Sequence, residues 1–338
     1  MIKNGACCPD CRSGFTRTRE AAKPNITRFP LENVAPFFHA PHPEDKPWVD
    51  ELIALSGYRG CEYNFTTLFV WNNTYRQEIA RMGDFLLIRF QSGGCYRYAF
   101  PAGRGDLAPV IDALTHCAEE DGAPLCLVGL TQERIAQLEA AFPGAFTFIP
   151  NRNSFDYLYD IDRLADLTGK RLHAKRNHIN RFMENNPTWR YERMTPAALS
   201  ECLAMDLEWY RRRMERIAEQ GGENPEKETE ALRRALECFT PLKLEGGLLR
   251  VEGQVVAFTL GDRISGDTFD IHFEKAFGEM QGAYAMINRE FARQIRADHP
   301  DIRYLNREED MGIEGLRKAK ESYYPDLLLE KHSAIRGE

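Results

Sequence analysis

One order of secondary-structure elements occurs twice along this chain, and no other feature restricts its fold as strongly. Apolar stripes mark a helix at 47–56 (Trp48, Leu52, Leu55) and a second at 64–72 (Phe65, Leu68, Phe69). Three strand-like runs follow, Arg76–Arg81, Phe85–Phe90 and Cys95–Phe100, parted by Gly83-Asp84 and Ser92-Gly93-Gly94, so the chain reverses twice. A helix at 106–120, a strand Leu125–Leu130, a helix at 132–141 and a strand Phe146–Ile149 complete the order ααβββαβαβ.

The second half repeats it. Helices at 196–219 and 226–239 precede strands Leu248–Val251, Gln254–Leu260 and Thr268–Phe273. A helix at 281–297, a strand Ile302–Leu305, a helix at 313–321 and a strand Leu327–Glu330 close it. Between the halves lie a strand Phe155–Tyr159, a short helix Ile161–Leu167 and a basic helix at 170–185, stopped by Asn185-Asn186-Pro187 because proline resists helical continuation. The expected architecture is α/β, with two tandem units at 31–155 and 156–335. Each is a mixed, mostly antiparallel sheet flanked by helices, preceded by a flexible leader at 1–30.

The formal charge of -7 argues against bulk attraction to nucleic acid or anionic lipid, so an anionic ligand has to meet a local basic patch. No apolar run approaches the roughly 20 residues of a membrane helix and the N-terminus lacks a signal-peptide core, which implies a cytoplasmic protein with at most peripheral membrane contact. Cys117, Cys126 and Cys202 fall in apolar elements and read as reduced thiols. Cys8 and Cys11 have CxxC spacing beside Cys7, but no second pair follows, so no metal is expected.

Two local blocks carry a family resemblance. Leu158-Tyr159-Asp160, Gly169 through His178 and Asn180-Arg181-Phe182 form one; Asn306 through Gly312, Gly315 through Lys320 and Ser322-Tyr323-Tyr324-Pro325 form the other. Together with Phe269–Asn288 they resemble a bacterial family related to the C-terminal domain of phosphatidylglycerol lysyltransferases, and the element order is similar to that of the GNAT acyltransferases. The first half shares the order and the Asn64–Trp71 helix. The resemblance implies two tandem GNAT-like acyltransferase domains and an acyl-transferring protein, with aminoacyl-tRNA as the suspected donor and no required cofactor. A phosphate-bearing small molecule or lipid head group is the suspected acceptor.

Candidate chemistry follows from residue type and place. Asp270 and His272 alternate with Ile271 and Phe273 on the strand that borders the GNAT cleft, and Glu308 and Asp310 follow the next strand, so any of the four could take a proton from an attacking amine or hydroxyl. Arg171, Lys175, Arg176, Asn177 and His178, with Asn306, Arg317 and Lys320, are candidate phosphate contacts. The alternative is a solvated or acid-paired basic face. In GNAT enzymes a glycine turn opening a helix holds the coenzyme A pyrophosphate, and Gly282 and Ala283 occupy that place. Glu279 and Tyr284 depart from the pattern, which disfavours acetyl-CoA as donor. An acetyl-CoA-dependent N-acyltransferase and a non-catalytic binding module on the same fold stay open as alternatives.

Overall fold

The computed structural model describes residues 36–220 and 225–337. The leader and its Cys7, Cys8 and Cys11 lie outside them. In the first half run α1 (Lys46–Ser56), α2 (Phe65–Val70), α3 (Asn72–Tyr75), β1 (Glu78–Met82), β2 (Phe85–Ser92), β3 (Cys95–Ala99), β4 (Ala102–Gly103), α4 (Leu107–Glu120), β5 (Cys126–Leu130), α5 (Gln132–Ala141) and β6 (Phe146–Pro150). The connecting segment supplies β7 (Asp156–Asp160), α6 (Ile161–Asp166), α7 (His173–Asn185) and β8 (Arg190–Arg193). Then come α8 (Leu199–Gln220), α9 (Glu226–Glu237), β9 (Glu245–Val251), β10 (Gln254–Ser265), β11 (Thr268–Ala276), α10 (Ala283–Asp298), β12 (Tyr304–Glu309), α11 (Glu314–Glu321), β13 (Leu327–Leu329) and β14 (His332–Arg336).

Local chemistry explains several boundaries. Asn64, Asp106 and Asp160 cap α2, α4 and α6, each accepting a backbone N–H of the first turn. Gly57 ends α1 in the left-handed region at φ 68°, where a side chain would be strained.

The strands form two mixed sheets flanked by helices, the GNAT-like arrangement, ordered β1-β2-β3-β5-β14-β6 and β13-β7-β12-β11-β10-β9-β8. β4 adds to β2. The orders correspond: a meander, then a parallel neighbour, then an antiparallel strand from elsewhere in the chain. β7 follows the first half but lies between β13 and β12, antiparallel to both. β14 follows the second half but lies between β5 and β6, also antiparallel to both. The sheets therefore cross the boundary expected near residue 155, since His332–Arg336 belongs to the first sheet.

The cores cross it too. One apolar cluster joins Leu68, Trp71, Leu87 and Leu114 to Met205, Leu232, Phe258 and Phe273, so α8 and α9 pack against the first half. The Trp71 and Phe273 rings lie 6.3 Å apart. The other cluster fills the space between the second sheet and α6, α7 and α10, with Tyr159, Ile179, Phe182, Phe269 and Phe291 at its centre. Cys117 and Cys202 are buried thiols outside any disulfide, and Cys126 is half-buried.

Candidate active site

β11 and β12 run parallel but pair only from Thr268–Tyr304 to Asp270–Asn306. Beyond that point both strands are irregular. On β11, Phe273 faces Leu260 while Ile271 faces Gly261, which leaves His272 as an extra, bulged residue. On β12 the register against β7 slips between Asn306 and Glu309, and Glu308 adopts φ 56°, a conformation that side chains other than glycine's rarely take. The strands part at Asp270 and Asn306, and His272 and Glu308 stand just past the fork.

The bulge overturns the simple alternation expected for β11. Ile271 packs with α10, whereas Phe273 turns into the other core against Trp71. Glu274 faces α10 and accepts a hydrogen bond from Asn288 Nδ2 at 2.9 Å, and Arg307 pairs with it at 2.8 Å.

His272 lies between carboxylates. Its Nε2 is 2.9 Å from Asp262 Oδ1, and its Nδ1 is 3.2 Å from Glu308 Oε1, 3.4 Å from Thr67 Oγ1 and 3.8 Å from Asp270 Oδ2. Burial opposes a charged ring, but hydrogen bonds to Asp262 and Glu308 outweigh it and raise the pKa to about 10. The imidazolium donates from both nitrogens. In that state His272 already holds its proton, which disfavours the role of proton acceptor considered from the sequence.

Asp262 is fixed by Lys46 Nζ at 3.0 Å, Asn64 Nδ2 at 2.6 Å and Thr66 Oγ1 at 2.9 Å. Although burial disfavours its charge, Lys46 and His272 hold it well below the usual carboxylate range. Asp270 is fully buried and neither of its oxygens has a hydrogen-bond partner among the described residues. Burial pushes its carboxyl far up, against the pull of His272. Glu308, with its side chain 10% exposed against 1% for His272, is the member of the cluster nearest solvent.

A second buried network adjoins the first through Asn306. Its Nδ2 donates to Asp156 at 3.0 Å and to Arg59 O at 2.9 Å, while its Oδ1 accepts the N–H of Glu308 at 2.7 Å and so pins the bend in β12. Asp156 also accepts from Cys61 N at 2.8 Å and pairs with Lys331 at 2.9 Å. Lys331 further pairs with Glu62 and, at 3.6 Å, with Glu309. Two trios could in principle ligate a metal, Asp270–His272–Glu308 and Cys61–Glu62–Asp156. In the first both ring nitrogens are engaged by carboxylates, and in the second the Lys331 ammonium already sits among the acids.

The remaining candidates are dispersed. Asp310 is fully buried and receives Arg317 at 2.8 and 2.9 Å, Arg152 at 2.9 Å, Tyr157 OH at 2.6 Å and Gly312 N at 2.8 Å. Against the effect of burial, Arg317 and Tyr157 hold it well below the usual range, so it is a structural anchor apart from His272, and Arg317 is its partner. Lys320 donates to the carbonyls of Arg307 and Glu309, and burial lowers its pKa to about 8. Asn306 and Lys320 thus brace β12 from within.

Lys175 donates to Ser322 Oγ at 2.7 Å and lies 3.8 Å from the centre of the Tyr323 ring, with its pKa lowered to about 8 by burial and then by Arg307. Arg171 stacks on Tyr324. Arg176 donates to the carbonyls of Leu167 and Gly169, while Asn177 and His178 are exposed on α7. Gly282 has φ 90°, and a Cβ there would come 2.1 Å from His178 O, so glycine is needed where α7 crosses the start of α10. Ala283 N donates to Met280 O at 3.0 Å, and Glu279 pairs with Arg212. Among the described residues no helix is long and apolar enough to cross a membrane.

Sequence reasoning missed Lys46, Glu62, Thr67, Asp156, Asp262 and Lys331. The one signal toward them was the Asn64–Trp71 helix, which brings Asn64, Thr66 and Thr67 to the cluster.

Known proteins extend the picture. Residues 53–335 match the family described as phosphatidylglycerol lysyltransferase, C-terminal. A conserved protein of unknown function from Bacteroides thetaiotaomicron VPI-5482 is 40% identical, with a TM-score of 0.83 over 89% of this chain and 100% of its own. L-PGS from Bacillus licheniformis shares the fold, with a TM-score of 0.59 at 16% identity over 88% of this chain and 92% of its own. An uncharacterized protein of Mycoplasmoides gallisepticum is 23% identical over 197 residues, 54% of this chain and 57% of that protein, so the match spans little more than half of this curated relative. The match over residues 53–335, on a structure of two GNAT-like sheets with a forked strand pair, means that the chain belongs to the phosphatidylglycerol lysyltransferase C-terminal family.

Proposed function

We propose that the protein transfers an aminoacyl group from aminoacyl-tRNA to an amine or hydroxyl of a phosphate-bearing acceptor, at the fork between β11 and β12. The observation that carries this reading is Glu308, held in a strained conformation past the fork, with its carboxylate on His272 and its N–H on Asn306. Glu308 takes the proton of the acceptor as that nitrogen or oxygen attacks the aminoacyl ester carbonyl. A new amide or ester bond forms, the ester bond to the ribose breaks, and the ribose oxygen leaves as a hydroxyl with the proton that Glu308 took from the acceptor, which returns the carboxylate. His272 and Asn306 position the carboxylate. A donor other than coenzyme A is supported by the Gly282 turn, which lies under α7, and by Glu279 beside it.

The test is transfer of a radiolabelled amino acid from charged tRNA into phosphatidylglycerol or glycerol 3-phosphate. Glu308→Gln should reduce the rate about 100-fold or more while leaving the melting temperature within a few degrees. A Glu308→Gln protein with full transfer activity would remove Glu308 from the mechanism. Transfer from acetyl-CoA with none from charged tRNA would replace the donor.

A further inference from the structure

Between α6, α7 and α10 lies a cavity of about 330 Å³ that no step of the proposed reaction uses. Its walls carry Arg176, Arg289 and Arg293, together with the amides of Asn177 and Asn180 and one acid, Asp166. His173 stands at the edge, 3.2 Å from Asn177.

The charges do not cancel. Both oxygens of Asp166 are taken by Arg296, at 2.9 and 3.1 Å, and Arg296 also holds Asp162 at 3.0 Å. Arg289 and Arg293 share a single carboxylate, Glu290, at 2.8 and 3.0 Å. Among the described residues Arg176 hydrogen-bonds to main-chain carbonyls alone, which fixes the guanidinium without neutralising it. Among the described residues four guanidinium groups therefore meet three carboxylates, with one of the four lacking any acid, in a chain whose overall charge is -7. Burial, reinforced by the charge of Arg293, also disfavours the charge on Arg289. An anion in the cavity would relieve that cost, and three fixed guanidinium groups with two neighbouring amides suit a tetrahedral oxyanion carrying a small hydroxylated group.

We infer that the groove between α7 and α10 is a binding subsite for the phosphate group of a phosphorylated ligand. It goes beyond the proposed function, because His272 and Asp262 face α1 and α2 of the first half while the groove lies beside α6, α7 and α10. The phosphate may be free or part of a lipid head group, and the chemistry of recognition is the same. Of the candidate phosphate contacts on α7, Arg176 and Asn177 belong to the groove, whereas Lys175 faces Tyr323 on another side.

Calorimetric titration with glycerol 3-phosphate and inorganic phosphate, and flotation with vesicles containing or lacking phosphatidylglycerol, test this. Arg289→Gln/Arg293→Gln removes two donors, and Asn180→Asp adds a carboxylate to the wall at an exposed position. Both should weaken glycerol 3-phosphate binding about tenfold or more; Asn180→Asp should melt as the parent does without ligand, whereas Arg289→Gln/Arg293→Gln, which leaves Glu290 without its cations, should melt lower. Lys318→Gln, an exposed cation of α11, should bind as the parent does. Binding of the soluble probes assigns a free phosphate; groove-dependent flotation without soluble binding assigns a lipid head group. The inference is overturned if the parent protein binds no probe at millimolar concentration, or if both groove variants bind as it does. No acyl donor is present in these assays, so binding without transfer refutes the reaction alone, and transfer without binding refutes the groove alone.

Discussion

Lys331→Met isolates the electrostatics that join the two halves. The side chain of Lys331 is 3% exposed and pairs with Glu62, Asp156 and Glu309. Methionine keeps most of the volume and removes the ammonium, leaving buried carboxylates without their cation. Breaking such a pair from one side destabilises by about 3–5 kcal/mol. At about 2.1 cal/mol/K per residue, the unfolding entropy of this chain is about 0.7 kcal/mol/K, so the melting temperature should fall by about 4–7 °C. The pH dependence follows from the acids. Burial, partly offset by Lys331, already raises Glu62 to about 7, so the folded protein binds its proton more tightly than the unfolded chain does. Asp156 is held low by Lys331 and Asn306 against burial, and loses much of that support in the variant. Folding of the variant then takes up more protons than folding of the parent. The deficit should be largest at pH 8 and shrink at pH 5.5. Thermal melts by circular dichroism at both pH values give the numbers, and Glu62→Gln added to Lys331→Met should recover part of the loss. A fall below about 2 °C, or a deficit that grows toward acid, would refute this account of the cluster.

Asp262→Asn removes the carboxylate on His272 Nε2 and should lower the pKa of His272 from about 10 by about 1–3 units, followed by NMR of its ring protons. The raised pKa gives stability that is full below about 6.5 and lost as pH rises toward 10, so the variant should lose less stability across that interval; an unshifted titration would show that Asp262 does not hold the proton. Gly282→Ala should destabilise by more than the about 1–2 kcal/mol of left-handed backbone, because its Cβ meets His178 O, as chemical denaturation will report. An alanine variant as stable as the parent would mean that α7 does not need this glycine.

The helices and meander strands were legible because apolar periodicity and turn residues are local. β14 was not, since of His332-Ser333-Ala334-Ile335-Arg336 only Ala334 is buried and the segment is a strand by virtue of two neighbours it meets far from it in sequence. Asp270, His272 and Glu308 were placed near one another correctly, because strand order in the fold sets which residues approach the fork. Their states were not legible: the bulge at His272 depends on β10, and its charge on Asp262. Asp310 looked like Glu308 in the sequence, and its capture by Arg152, Arg317 and Tyr157 needed three further segments of chain.

The strand exchange also determines how substrate can enter. A cleft between two units joined by one linker can open as a hinge, with each sheet moving as a rigid body. Here the chain passes between the sheets twice, from β6 to β7 and from β13 to β14, and both passages are short. Two such ties restrain clam-shell opening in a way that a single linker does not. Access to Glu308 is then expected to come mainly from displacement of side chains and of the segments that follow β11 and β12.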